Sequence, residues 1–527
     1  MRLIKHLARA AHTAPETVTG LVAVIRADPK TFLPLIFSIA RYGAGPLDTA
    51  LAAVISTLNL NYEELRKLDE VSPKNTGILP CAALAAAEQC CLRAESNVQL
   101  ALAQRRLGSR LGQVGRHREA LAAAEQSVGL FQQLVAEDPD THTPDLARAL
   151  QNMGTYLGPL GRHREALAAA EQSVGLFQQL VAEDPDTHTP DLAMALQNFG
   201  THLGEVGQRR KACIALKKAV GLFRQLVEND PEVHTPDLAG AVYNLGLRLG
   251  QRQEALAVSQ EAVELVRQLV VSDPDAYTPF LASAVQSLAT HLRKVGQRRE
   301  SLAASREAVG LFRQLVVSDP EVHTPHLASA VHNLGIQLGI AGIRRDALGA
   351  FQEAVKLFRQ LVTNDSDVYT SLLAMALQDL GTQSGEVGQR QEALAASREA
   401  VGLFRQLVAS DPEVHTPDLA GAVLNLGIQL SSVGQRREAL AACKEGIELF
   451  RQLVASDPDV HTPHLARALQ NLGIYLSEVG RHQEAFPVAE EAVELYTRLY
   501  ADLPEAYVDA LAASRHLRDS LNMASGA

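Results

Sequence analysis

The sequence has no Trp, and its 13 Phe and 10 Tyr amount to 4% of 527 residues. A large mixed α/β interior usually carries more rings, so an interior of that kind is not expected. Cysteine is also scarce. The five Cys, at 81, 90, 91, 213 and 443, form no CxxC pair, and Cys90 and Cys91 are adjacent. This suggests neither a zinc site nor a disulfide framework, and it fits a reducing, cytoplasmic setting. No apolar run approaches the ~18 residues needed to cross a bilayer, so no membrane partner is expected. Positive charge is in deficit as well: the net charge of −11 argues against a nucleic-acid binder that works by neutralising phosphates. The opening residues MRLIKHLARAAH carry no acid, the first being Glu16, which permits a mitochondrial presequence; an exposed helix is the preferred reading. What is present, 46% hydrophobic and 21% charged residues, is the composition of a folded protein.

Self-similarity organises that composition. The segment GRHREALAAAEQSVGLFQQLVAEDPDTHTPDLA at 115–147 recurs unchanged at 161–193. Prolines of the Asp-Pro type stand at 139, 185, 231, 274, 320, 412 and 458, with Ser366 in the gap and Pro504 closing the series. The steps are 46, 46 and 43 residues, then 46 throughout; the short one arises at Leu249–Gln251, where the usual turn has lost three residues.

Each unit reads as two helices. Thr143-Pro144-Asp145 has the form of an N-cap, a first-position proline and a first-turn acid, so helix A is expected to begin there. At 100° per residue, Leu146, Leu150, Met153, Gly154 and Leu157 fall on one face, with Arg148, Gln151, Asn152 and Thr155 opposite. Gly161 breaks the chain, and helix B is expected from about Arg162 to Ala182, ended by Asp184-Pro185. Glycines at 115, 161, 207, 250, 296, 342, 388, 434 and 480 mark nine such pairs. Neither helix of a pair can bury its face alone, but a stack can, which predicts an all-α solenoid. Residues 505–523 repeat the start of helix A and then place Arg515 and Arg518 at apolar positions, as a polar cap would. The expected organisation is a helical segment over 1–90, the repeat array over 91–504 and a capping helix and tail over 505–527. Pro29 and Pro34 share the spacing of Pro139 and Pro144, and a helix-like stretch Leu35–Tyr42 follows, so the first segment reads as a decayed repeat; 73–77 reads as a linker.

With Gly154 as the eighth position of its unit, Leu150, Met153, Gly154, Leu157, Gly161, Ala166 and Ser173 stand where tetratricopeptide repeats place their consensus residues. The chain resembles that family over roughly 95–525, in the longer form similar to kinesin light chain arrays and to the sensor arrays of fungal and bacterial signal-transducing NTPases. The resemblance implies a right-handed superhelix of about nine antiparallel helix pairs, whose A helices line a concave surface. Leu150 and Ala170 replace the family's aromatics, so small residues are expected to bring the helices close. Gly175, Gly221, Gly310 and Gly402 lie inside helix B, where Gly costs ~1 kcal/mol relative to Ala; close backbone approach is the expected compensation.

The residue before the Leu-Gly of helix A is Asn152, Asn198, Asn244, Asn333, Asn425 or Asn471, with Ser287 and Asp379 filling two gaps. A carboxamide carries donor and acceptor at one tip and can bond both groups of an extended peptide; in the arrays it resembles, this position forms a ladder that grips ligand backbone. The competing reading is that Asn tolerates exposure or bonds the neighbouring repeat. Gln151, Gln197, Gln286, Gln378 and Gln470 stand one residue earlier and widen the same floor. A second ladder, His142, His188, His234, His323, His415 and His461, invites a metal, but repeats stack ~10 Å apart and zinc–imidazole bonds are ~2 Å. Tyr277 and Tyr369 share the position, so packing is the better reading. The turn arginines, such as Arg209-Arg210 and Arg436-Arg437, are mostly followed by an acid and read as a self-compensated edge.

No GxxxxGK[ST], HExxH or GxSxG occurs, and no cofactor or metal is implied. The sequence therefore points to a non-enzymatic scaffold that binds an extended peptide or helix of a protein partner in the groove lined by the A helices. Monomeric behaviour or weak self-association is expected. Two alternatives stay open: a ligand-sensing array of a signalling NTPase whose catalytic half is on another chain, and a self-associating structural scaffold.

Overall fold

Asp138 makes two helices from one residue. With φ −143° and ψ 89° it leaves the helical region; its N–H bonds the Leu134 carbonyl at 2.8 Å, while its carboxylate accepts from the Thr141 N–H at 3.3 Å. Helix B thus ends and helix A begins with no intervening loop. Helix A runs Pro139–Leu157, starting five residues before the expected Thr143-Pro144-Asp145 cap. Pro139 sits at the first position, where a missing N–H costs nothing. Pro144 is inside the helix, and the Thr143 hydroxyl donates to the Pro139 carbonyl at 2.7 Å. The Thr-Pro-Asp signal misled because it is itself a cap sequence. The same Asp geometry recurs at 184, 230, 319, 411 and 457.

Hydrogen bonds from the Thr141 and Thr187 side chains and backbone hold the carboxyls of Asp138 and Asp184 below their ordinary value. A depressed folded-state pKa stabilises above the unfolded value and is lost as pH falls through the folded one. The urea midpoint is therefore expected to drop between roughly pH 5 and pH 3, and Asp138→Asn with Asp184→Asn should flatten that slope. An unchanged slope in the double variant would remove the caps from the acid response.

A computed structural model of the chain describes residues 15–39, 46–71, 79–364 and 366–525. The basic opening residues, the stretch 40–42 and the expected linker at 73–77 lie outside them. Among the described residues the regular structure is all helical. The A helices are Asn97–Gln113, Pro139–Leu157, Pro185–Glu205, Pro231–Arg248, Pro274–Lys294, Pro320–Ile340, Ser366–Glu386, Pro412–Ser432 and Pro458–Glu478. Each is followed by a 21-residue B helix, such as His163–Glu183, Arg209–Asn229 or Arg390–Ser410, and Pro504–Ser525 closes the series. The chain divides into two compact units, Met1–His291 and Leu292–Ala527. Within each, successive helices pack on one another, as expected of a repeat stack.

Between A and B the chain turns on a left-handed glycine. Gly207 has φ 79°, its N–H bonds Gly204 O at 3.2 Å, and Gln208 N–H reaches Leu203 O at 2.8 Å, the Schellman arrangement. The three-residue deletion removes this at Gly250, which has no positive φ. There the Arg209 guanidinium takes over, donating to the carbonyls of Arg248 at 2.7 Å and Leu249 at 2.6 Å.

A ring anchors most pairs: Phe131, Phe177 and Phe223 in the first unit and Phe312, Phe358 and Phe404 in the second are essentially sealed from solvent, and Val266 takes the same buried place in Arg252–Ser272. Close approach is found at glycines of helix A, and in helix B at Gly446, where a Cβ would lie 2.6 Å from Leu424 Cδ2, but not at the four B-helix glycines named above. A Cβ on Gly200 would lie 2.7 Å from Leu216 Cγ and 3.2 Å from the Ala212 carbonyl, whereas one on Gly175, Gly221, Gly310 or Gly402 would meet nothing within 4 Å. The expected compensation is therefore absent at these four, which face open space.

The described residues of the first segment form the helices Pro15–Ala27, Pro29–Ile39, Pro46–Thr57, Tyr62–Val71 and Pro80–Leu92. Asp28 caps the second of them through the Thr31 N–H at 3.2 Å, repeating the Asp138 arrangement. The packing differs, since Pro15–Ala27 contacts Pro46–Thr57 and Pro29–Ile39 contacts Tyr62–Val71. A buried ion pair, Arg110 Nε to Asp69 Oδ1 at 2.8 Å, ties this segment to the first A helix. At the other end, Leu511, Ser514 and Leu521 are buried and Arg515 is exposed, so the last helix presents a polar outer face.

Candidate functional site

The A helices carry the polar ladder. Asn152, Asn198, Asn244 and Ser287 in the first unit, and Asn333, Asp379, Asn425 and Asn471 in the second, are all half-buried, as are Gln151, Gln197, Gln286, Gln378 and Gln470. In each unit, neighbouring A helices touch, among them Pro185–Glu205 with Pro231–Arg248 and Ser366–Glu386 with Pro412–Ser432. Among the described residues the six Asn carboxamides find no hydrogen-bond partner, and none of their N or O atoms is sealed from solvent. Asp379 differs. Its Oδ2 lies 2.8 Å from Nε2 of His332, which holds the Gln register on the preceding A helix, so that rung is closed from within. Gln197 Oε1 is buried without a partner.

The histidine ladder lies within the first turns of helix A. Nδ1 of His188, His234, His323, His415 and His461 is buried and unpaired. Among the described residues no group of three or more His, Cys, Asp or Glu is placed to hold a metal. Burial and the nearby His326 push His323 below its ordinary value, with Asp319 opposing. Among the turn acids, Glu438 receives Arg398 of the preceding B helix at 3.0 Å. Further along the B helices, Arg224–Glu261, Arg359–Glu399, Arg405–Glu445 and Arg451–Glu491 pair across successive repeats at 2.7–3.0 Å. These pairs are exposed, each worth about 0–1 kcal/mol.

A third ladder escaped the sequence reading. Two residues after the close-packed small residue of helix A, a glycine except at Ala289, stand Arg110, Tyr156, His202 and His291 in the first unit and Gln337, Gln383 and Gln429 in the second, all buried. Tyr156, His202, Gln383 and Gln429 fill the space between consecutive A helices, while Arg110 turns to Asp69 and His291 to Ser259 of a B helix. A Cβ on Gly112 would lie 2.8 Å from the Tyr156 ring, and one on Gly385 would lie 2.7 Å from Gln429 Oε1. Burial pushes the Tyr156 phenol up to about 12. The available signal was a large polar residue paired, one repeat earlier and two positions on, with a small one.

Helix pairs with a small-residue crossing in helix A, a left-handed turn glycine and a 46-residue period are accompanied by a direct match: the tetratricopeptide repeat model fits residues 465–502. The chain is a tetratricopeptide-like repeat protein. A model of anaphase-promoting complex subunit 5 matches residues 349–411 and 413–457 of the array. No curated protein sequence matches the chain. Among solved structures, the repeat array is similar to a signal transduction ATPase with numerous domains, carrying a tetratricopeptide repeat sensor, from Pyrococcus horikoshii. That likeness is 14% identical, covers 96% of this chain and 73% of the other, and has a TM-score of 0.46. A kinesin light chain with nearly identical repeats from Podosopora anserina is 20% identical over 41% of this chain and 97% of its own, at 0.30. BtubC from P. vanneervenii is 18% identical over 48% and 93%, at 0.39. No helix among the described residues is long and apolar enough to cross a membrane.

Proposed function

We propose that this tetratricopeptide-like array is a non-enzymatic interaction scaffold, and that it receives an extended peptide or helix of a protein partner on the faces lined by the A helices. The observation that carries the reading is the set of six Asn carboxamides at one register, half-buried and without a hydrogen-bond partner among the described residues. Such a tip offers a donor and an acceptor without a desolvation penalty left to be met by the fold. Gln151, Gln197, Gln286, Gln378 and Gln470 extend the same surface. In this reading residues 91–504 form the binding array, 1–90 a helical segment at its start and 505–527 its cap, working in the cytoplasm on protein and not nucleic acid.

The test is partner recovery by affinity purification and mass spectrometry. Asn198→Ala with Asn244→Ala in the first unit, and Asn425→Ala with Asn471→Ala in the second, are expected to lose the partner at least about tenfold, the scale of a few charge-free hydrogen bonds. Helical circular dichroism should be unchanged. Equal recovery by all variants would refute the carboxamide floor.

A further inference from the structure

Four aspartates share one register of helix A: Asp145, Asp191, Asp237 and Asp418. Two of them are satisfied from within. Arg105 approaches Asp145 at 3.4 Å, and Arg148 clamps Asp191 with Nε at 3.2 Å and a terminal nitrogen at 2.6 Å, each arginine coming from the preceding A helix. The residue 43 positions before Asp191 is Arg148; the corresponding residue before Asp237 is Met194, and before Asp418 it is Met375. A thioether cannot pair with a carboxylate. Among the described residues the Asp418 carboxylate accordingly makes no hydrogen bond or ion pair, and the Asp237 carboxylate has only the His234 imidazole, with Nδ1 at 4.0 Å, beyond hydrogen-bonding distance.

The same two places also lack a cover. The register of Arg148 is taken on the following helix by Gly240 and Gly421. A Cβ at Gly421 would meet nothing within 4 Å, and one at Gly240 only the Gln197 amide nitrogen, at 3.5 Å. Each unit therefore holds one notch of identical make-up: Met194, Gln197, Asp237, Gly240 and Asn244 in the first, Met375, Gln378, Asp418, Gly421 and Asn425 in the second. The carboxylates are reachable. The Asp237 side chain is 37% exposed against 26% for the clamped Asp191, and Asp418 is exposed. Packed neighbours push both carboxyls above their ordinary value, with His234 and His415 acting in the opposite sense.

We infer that each notch receives an arginine side chain of the bound partner, its guanidinium taking on Asp237 and on Asp418 the place that Arg148 takes on Asp191. The inference rests on the scaffold reading above and specifies its partner: a segment carrying basic side chains, read beside a backbone held by Asn244 or Asn425. Arginine suits the site better than lysine because its planar fork meets both carboxylate oxygens, as Arg148 does.

The methionines are built-in reporters. With ¹³C-methyl methionine in the intact chain, titration with Ac-Gly-Arg-Gly-NH2 is expected to shift the Met194 and Met375 methyls saturably while Met153 and Met523 stay still. The neutral isostere Ac-Gly-citrulline-Gly-NH2 should move neither. Asp237→Asn should weaken the Met194 response about tenfold and spare Met375, and Asp418→Asn the reverse, the scale of one charge-assisted hydrogen-bond pair. Unmoved methyls, equal shifts with citrulline, or shifts that survive both Asn variants would overturn the notches. Loss of partner in the Asn-to-Ala variants together with unmoved methyls would overturn the notches alone; methyl shifts with partner recovery untouched by those variants would overturn the carboxamide floor and leave the notches standing.

Discussion

Arg110→Ala is expected to destabilise the first unit by about 3–5 kcal/mol, the usual cost of leaving one partner of a buried ion pair uncompensated. Both side chains are almost sealed, at 6% and 9% exposure. Arg110 also donates to the Asp69 carbonyl at 3.0 Å and to Gln113 at 3.2 Å, so its removal strands a carboxylate and a carbonyl together. Arg106 lies 3.7 Å from Asp69, too far to replace the lost hydrogen bonds. The damage should fall where Tyr62–Val71 meets Asn97–Gln113. Hydrogen exchange in those two helices should rise first, with limited proteolysis entering between the first segment and the array. Replacing both partners, Asp69→Leu with Arg110→Met, should recover most of the loss, because no charge is then left buried. A loss under ~1 kcal/mol in Arg110→Ala would mean that water reaches Asp69 and that the pair is not a tie.

Two glycines of one helix pair should answer in opposite senses. Gly200→Val is expected to cost about 1–3 kcal/mol, since the new atoms would press on Leu216, itself fully buried, and on the Ala212 carbonyl. Gly221→Ala, in the facing B helix, should stabilise by roughly 0.5–1 kcal/mol, because the space is open and the unfolded chain loses freedom. Urea unfolding of the two variants beside the parent checks both signs at once. A destabilised Gly221→Ala would show that the B helices sit closer than their geometry indicates.

These glycines also show where reading the chain by itself reaches and where it stops. Gly207 was legible as a turn because its left-handed φ is a property of its own backbone. Gly221 was legible as helical and costly, but its supposed close neighbour was an inference about another helix, and that neighbour is not there. The start of helix A failed for a local reason: Asp138-Pro139 and Thr143-Pro144-Asp145 are both acceptable caps, and the chain uses the first. The Asn register was legible from its 46-residue recurrence. The buried series from Arg110 to Gln429 was not, because polar side chains at a helix surface look the same in a sequence whether they meet water or the next helix.

The sequence by itself determined the repeat length, which is read from recurrence along the chain, and the two helices of each unit, the glycine turns, the missing turn at Gly250 and the polar last helix, since each of these depends on residues close together in the chain. Only the tertiary structure decided which side chains meet across 40 or more residues: that Arg148 clamps Asp191, that His332 closes the rung at Asp379, and that Asp237 and Asp418 are left open. Those pairings depend on the rotation of each helix about its axis and its offset along the neighbour, quantities that packing sets and that no single repeat encodes.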